Sequence, residues 1–158
     1  MNDTHFVLWP LRATAHIYNS NVPSTSWLSV CATAFLTVLQ LPPFVADPAK
    51  RCDQCEGWNQ RIEPFTVFGN THYVGVAGLS AILVTSSQGH VLLDGGLAQS
   101  APIIAANIAA LGFKLTDVKL ILNSHAHYDH SGGINALQRA TGATVAASAH
   151  GAGVLTRG

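Results

Sequence analysis

The chain has 158 residues, a length that favours about one domain. Hydrophobic residues make up 48% of it and charged residues only 10%, which excludes the highly charged, weakly hydrophobic composition of a disordered chain. The formal net charge is zero and no run of like charges occurs, so nothing in the charge pattern indicates a nucleic-acid or anionic-membrane partner.

The chain begins with a segment, residues 1–46, that is predicted to be a leader because residues 27–46 are mostly apolar. Its core, residues 30–39, is too short for a comfortable transmembrane span. An apolar core of this kind preceded by Arg12 is typical of a secretory signal peptide, which we assign to residues 1–46. The alternative is an ordinary buried segment. Residues 47–64 are predicted to form an irregular mature N-terminus, without stable membrane insertion of the protein.

The three cysteines are Cys31, Cys52 and Cys55. The Cys52-x-x-Cys55 spacing lacks the second cysteine pair of a structural zinc site and the βαβ surroundings of a thioredoxin-like redox motif. We therefore expect incidental thiols or one small bridge in an N-terminal loop, rather than a redox centre.

From Phe65 onward the hydrophobic pattern becomes regular. Four short strands are predicted first, divided by turn residues that include Gly69-Asn70. Ser100 is predicted to cap a helix that ends at Gly112. The apolar run Val118–Leu122 then predicts a strand buried on both faces.

A polar loop, a short helix and a final strand complete the pattern. The order ββββαβαβ predicts an α/β (α+β) fold, in which helices cover a mixed sheet over residues 65–158. The predicted ranges are 65–68, 72–76, 79–85, 90–94, 118–122 and 144–148 for strands, 100–112 and 134–140 for helices, and 123–131 for the loop.

Four side chains of metal-ligand type lie within six positions directly after the fifth strand: His125, His127, Asp129 and His130. Residues two apart on an extended segment point the same way, so His125 and His127 are predicted to converge on one ion. A turn permitted by Gly132-Gly133 lets Asp129 and His130 face a second point nearby. Imidazoles with one carboxylate and no thiolate suit two Zn²⁺ ions, with iron or manganese as alternatives.

Two such ions supply what a hydrolase needs. One lowers the pKa of a bound water so that hydroxide forms at neutral pH, and the other stabilises charge on the substrate. Asp129 is the candidate catalytic residue, because a ligating carboxylate can also hydrogen-bond the attacking water and aim it at a carbonyl. A histidine-rich surface loop without metal is the alternative, which four ligands in six positions at a strand end disfavour.

The pattern H-x-H-x-D-H-x-G-G after an apolar strand resembles the metallo-β-lactamase superfamily. The sequence from about Trp58 to Gly158 is similar to the third subclass of class B β-lactamases, most clearly over residues 68–75, 81–85, 89–95 and 106–113. The resemblance implies the N-terminal half of an αββα sandwich that opens the amide of a small-molecule β-lactam with zinc.

The resemblance also implies roles for individual residues. His125 and His127 would bind the first zinc, and Asp129 and His130 the second. Asp94 matches an aspartate that ends a core strand, where it is expected to hold the ligand loop by hydrogen bonds. A simple turn carboxylate is the alternative for Asp94.

The chain departs from the family pattern in one respect. The family takes a third histidine for each zinc from the second half of the domain, so this chain alone is expected to lack useful activity. The remaining histidines are not expected to be ligands. His150 is predicted to be exposed, His72 and His90 to face solvent, and His5 and His16 to lie in the leader.

Two other functions share these residues. One is a glyoxalase II-like thioester hydrolase, which carries the same histidine motif. The other is a truncated product that binds zinc weakly and has no activity. For the β-lactamase, whose targets lie outside the cytoplasm, we expect a periplasmic location, while the pattern leaves the oligomeric state open.

Overall fold

The computed structural model describes residues 44–157. Most of the predicted leader therefore lies outside the described residues, together with His5, His16 and Cys31. None of the helices in the described range is long and apolar enough to cross a membrane.

In the described part of the chain, six strands form one mixed sheet in which strands adjacent in sequence are also paired in space. The first four are antiparallel, and the last two run parallel to the fourth. The strands are β1 Phe65–Phe68, β2 Thr71–Tyr73, β3 Ile82–Val84, β4 His90–Leu93, β5 Val118–Leu122 and β6 Thr144–Ala146. All six were predicted, although β2, β3 and β6 are shorter than expected.

Within residues 44–157, five helices accompany the sheet: α1 Cys55–Trp58, α2 Ala101–Ala110, α3 Tyr128–Ser131, α4 Ile134–Thr141 and α5 Ala149–Leu155. Short 3-10 turns precede α2 and β5. Ser100 occupies the N-cap of α2 as predicted, but its hydroxyl makes no capping bond. It accepts a hydrogen bond from the Leu97 amide and donates one to Asn59 Oδ1 instead.

Helices α2 and α4 cover one face of the sheet and enclose the main core. Its fully buried members include Leu83 and Leu92 of the sheet, Ile104 and Ile108 of α2, and Leu137 of α4. Burying such aliphatic side chains stabilises the layers by about 1.5–3 kcal/mol each. The predicted mixed sheet with helical cover is confirmed.

Strand β5 differs from its prediction. Val118 and Ile121 are buried, but Lys119 and Leu122 are exposed. The two buried residues are three apart because the pairing with β4 shifts between His90 and Val91. Among residues 44–157, the burial pattern of β5 shows cover on one face and exposed residues on the other, so the prediction of a strand buried on both faces is wrong.

From Phe44 to β1 the chain is mainly irregular, apart from the single turn of α1. Cys52 and Cys55 form a disulfide across the start of α1. Cys55 is buried in a small second core with Val76, Leu79 and Leu97. Of the two expected alternatives, incidental thiols or one small bridge, the structure has the bridge. Cys55 also contributes to the second core.

Candidate metal centre

The candidate site forms where the parallel strands end. Strands β4, β5 and β6 run in the same direction, so their carboxyl ends share one edge of the sheet. The Asp94 amide donates to Leu122 O at 2.8 Å, and the Asn123 amide to Ala146 O at 2.8 Å. These bonds bring the end of β4 next to the loop that follows β5.

The histidine rings in this loop lie against one another. The ring centroids of His125 and His127 are 4.7 Å apart, and those of His125 and His130 are 4.1 Å apart. His125 and His127 are exposed to solvent, which leaves their nitrogens accessible. The period-two spacing therefore places the two rings together and not on opposite sides of the segment.

Helix α3 turns the chain so that its two ligand-type residues face the same region. It is a single turn within the segment predicted as loop, and His127 is its N-cap. The Ser131 hydroxyl donates to His127 O at 2.9 Å and steadies that turn. His130 Nε2 lies 3.6 Å from Asp129 Oδ2, so these adjacent side chains approach each other.

Asp94 lies beneath the loop and is 6% exposed. Its Oδ1 accepts from the Ser124 amide at 2.8 Å, and its Oδ2 accepts from the Ser124 hydroxyl at 2.6 Å. His130 Nδ1 lies 2.9 Å from Oδ2, and Asn123 Nδ2 3.4 Å from Oδ1. Asp94 has a positive φ of 61°, a conformation that Asp adopts more readily than most residues. The carboxylate thus joins the end of β4 to both ends of the loop.

Two glycine pairs let the backbones approach closely at this edge. Gly95 N donates to His130 O, and Gly133 N to Gly96 O. A Cβ atom at Gly133 would overlap the Gly95 carbonyl oxygen. Gly132 and Gly133 have ordinary negative φ angles of −58° and −87°. Their importance is therefore close packing, and not the conformational freedom that the sequence suggested.

The donor set has the chemistry of a zinc site, since imidazole and carboxylate are common zinc ligands. The Asp94 contact leaves His130 Nε2 as the nitrogen available to a metal. Within residues 44–157, however, no three His, Cys, Asp or Glu side chains are arranged to hold one ion. The residues fit zinc as two donor pairs, His125 with His127 and Asp129 with His130. Each pair needs further ligands to complete a coordination shell.

The prediction for His72 and His90 was wrong. Both are 8% exposed and pack against the Phe113 ring, at centroid distances of 5.0 and 5.2 Å. His72 bonds Thr66 Oγ1, and His90 Nδ1 accepts from the Ser86 amide. They complete the packing between the sheet and the chain after α2. His150 is exposed, as predicted.

Two residues near the site were missed. Ser124 precedes the first histidine and bonds Asp94, and a hydroxyl at the first turn of a ligand loop is a signal that could have identified it. Lys50 could not have been found from spacing. Its Nζ lies 5.2 Å from the centre of the Tyr128 ring, and Gln99 holds its backbone through two hydrogen bonds. Lys50 therefore places a cation beside the histidine loop, residues 123–131.

Solved structures similar to this chain are subclass B3 metallo-β-lactamases. MEM-A1, isolated from a soil metagenome library, is 65% identical; the match covers 62% of this chain and 37% of MEM-A1, with a TM-score of 0.62. The Rm3 metallo-β-lactamase is 61% identical over 65% of this chain and 38% of its own, with a TM-score of 0.63. A B3 enzyme described as having an active-site glutamic acid is 47% identical over 68% and 41%, with a TM-score of 0.67.

The matched region spans only 37–41% of the length of these three proteins. A sequence profile described as the metallo-β-lactamase superfamily matches residues 74–158, which is more than half of the chain. That region includes Asp94, the histidine loop and every strand from β3 onward. The chain belongs to the metallo-β-lactamase superfamily.

Proposed function

We propose that the whole protein hydrolyses the amide bond of β-lactams with the help of two zinc ions. The observation that carries this proposal is the cluster of His125, His127, Asp129 and His130 over buried Asp94. The cluster occurs in a chain 61–65% identical to two solved metallo-β-lactamases, and at such identity the chemistry of a site is commonly shared.

The proposed ligands follow the two donor pairs. His125 and His127 would hold one zinc, and Asp129 and His130 the other. When bound, zinc supplies Lewis acidity for a water and for the developing charge on the substrate. The protein's part is to orient the donor groups: Ser124 contacts Nδ1 of His125, and Asp94 contacts Nδ1 of His130.

Asp129 has a second part in the proposal. Its carboxylate accepts hydrogen bonds and donates none when ionised, so it can receive one from the attacking water and orient that water toward the lactam carbonyl. The side chain is 23% exposed and lies on the first turn of α3. A water from solvent can therefore reach it.

The proposal is tested by nitrocefin hydrolysis with the whole protein, loaded with zinc and then treated with chelator. We expect zinc-dependent turnover and no comparable hydrolysis of a glutathione thioester. Replacing Asp129→Asn should lower kcat/KM by roughly 100-fold or more, since positioned acid–base groups contribute about 10²–10⁴-fold. Asp117→Asn is the matched control, because Asp117 is exposed on the turn before β5. Thioester hydrolysis with no nitrocefin turnover would contradict the proposal.

A further inference from the structure

Ser124 lies between the buried carboxylate and the histidine rings. Its Oγ is 2.6 Å from Asp94 Oδ2, 3.1 Å from His125 Nδ1 and 3.5 Å from His130 Nδ1. Its own amide also donates to Asp94 Oδ1 at 2.8 Å. Ser124 is therefore bonded to Asp94 through both its amide and its hydroxyl, and the same hydroxyl contacts the histidine rings.

The hydroxyl has one proton and several possible partners. The contact with Asp94 is the shortest, and 2.6 Å is typical of an O–H donating to a carboxylate. With its proton used there, the Ser124 oxygen can only accept from His125 Nδ1. That nitrogen must then carry the hydrogen, and the lone pair of neutral His125 lies on Nε2.

His130 reaches the same state by a different contact. Its Nδ1 lies 2.9 Å from Asp94 Oδ2, and an ionised carboxylate only accepts. His130 Nδ1 must therefore donate, which again leaves Nε2 with the lone pair. The side-chain hydrogen bond at His127 is to its backbone carbonyl, and among residues 44–157 no hydrogen bond to the His127 ring selects its tautomer.

We propose that Ser124 is a positioning residue that holds neutral His125 in the Nδ1–H tautomer, while Asp94 holds His130 in the same tautomer directly. Both rings then present Nε2 to a metal before any metal arrives. The consequence for zinc rests on the proposed function, but the tautomers are a property of the metal-free chain.

The first test uses the ¹⁵N-labelled 158-residue chain, stripped of metal, at a pH where imidazole is neutral. Long-range ¹H–¹⁵N correlation spectra distinguish the two tautomers of each ring. His125→Gln and His130→Gln variants assign the signals, and exposed His150 provides the unrestrained reference. We expect Nδ1–H for His125 and His130. An Nε2–H tautomer for His125 in the wild-type chain would overturn the proposal.

The second test compares Ser124→Ala, which deletes the hydroxyl, with Ser124→Thr, which keeps it. In Ser124→Ala we expect His125 to relax to a mixture of tautomers while His130 stays Nδ1–H. A general structural role would disturb both rings alike. Zinc affinity, measured by competition with a chromophoric chelator, should fall roughly 10-fold in Ser124→Ala and stay near wild type in Ser124→Thr.

A His125 tautomer that does not change in folded Ser124→Ala would overturn the proposal. If Ser124→Ala does not fold, the spectra of the wild-type and Ser124→Thr chains decide, because both must show Nδ1–H on His125. None of these readouts needs turnover. A protein that fails to hydrolyse nitrocefin but keeps these tautomers would contradict the proposed function alone.

Discussion

At the scale of single residues, the Asp94 carboxylate contacts both Ser124 and His130, at the two ends of the histidine loop. Replacing Asp94→Asn keeps an acceptor and tolerates the positive φ, but it places an NH₂ group among donors from Ser124 and His130. We expect the free energy of unfolding to fall by about 1–3 kcal/mol, the cost of leaving a buried polar group unsatisfied. Urea unfolding followed by circular dichroism measures that loss.

The same substitution should weaken zinc binding by about 10–100-fold, because residues that orient metal ligands have effects of this size. Asp117→Asn removes a carboxylate from an exposed turn and is the control for charge alone. Equal effects of the two substitutions on stability and on zinc affinity would show that Asp94 is only a turn carboxylate.

Local spacing was enough to predict the neighbours His125 and His127, since period-two geometry needs no distant part of the chain. The environments of other residues depend on long-range packing. His72 and His90 are both buried against Phe113, which lies more than twenty residues further along the sequence. The partner of Ser124 is 30 residues away in sequence, so local spacing could not identify the carboxylate that Ser124 contacts.

At the scale of elements, Gly133 at the start of α4 lies against the backbone of Gly95 and Leu97, which follow β4. This contact positions the end of the histidine loop. A Cβ at Gly133 would overlap the Gly95 carbonyl and come within 2.9 Å of that of Leu97. Because both obstacles are backbone atoms, they cannot rotate away. We expect Gly133→Ala to lower stability by about 1–3 kcal/mol, the usual cost of overpacking.

Gly57 is the matched control for that substitution. It lies in α1 with a negative φ, and a Cβ there meets nothing within 4 Å. Gly57→Ala should be neutral or stabilising by up to about 1 kcal/mol, because alanine is the better helix former. Thermal unfolding of both variants decides the matter: a Gly133→Ala protein as stable as Gly57→Ala would show that the contact can relax easily.

The segment before α1 bears on processing of the predicted leader. Phe44 packs against the main core, and Arg139 of α4 binds both the Val45 carbonyl and the Asp47 carboxylate, the latter at 2.7 Å. Cleavage after residue 46 would remove two of these contacts. We therefore expect the exported protein to begin near Phe44, after about Pro43.

Mass spectrometry of the protein recovered from the periplasm measures this N-terminus. Cytosolic protein that retains Met1 would contradict export, and an N-terminus at Asp47 would contradict the importance of the Phe44 contact. The amount of a known cytosolic protein in the same periplasmic fraction controls for leakage.

The pattern of elements was largely predictable because each strand is bounded by turn residues and each longer helix has an apolar face. Burial was less predictable. The apolar residues of β5 suggested two covered faces, but α2 and α4 cover only one. Which face a strand buries depends on layers that periodicity alone does not identify.

At the scale of the whole molecule, the second face of the sheet is apolar and accessible. Val84, Leu93 and Leu122 lie on neighbouring strands and are each 36–37% exposed. An apolar patch of this kind commonly marks a surface that another part of a protein or a partner covers. The solved relatives, of which the matched region spans 37–41%, contain much more chain.

The exposed apolar face and the two incomplete donor pairs both bear on what this chain can do alone. A catalytic zinc usually has three protein ligands, and small misplacements of reacting groups are costly in catalysis. We expect the purified 158-residue chain to bind zinc weakly through His125 and its neighbours and to show no useful nitrocefin turnover. Zinc titration and turnover are measured beside an intact subclass B3 enzyme. His125→Gln should weaken this zinc binding further, because it leaves only the Asp129–His130 pair intact, whereas His150→Gln, at an exposed position, should leave it unchanged. Chelator-sensitive turnover at the level of the intact enzyme would show that two donors per ion suffice, or that another copy of the chain supplies the rest.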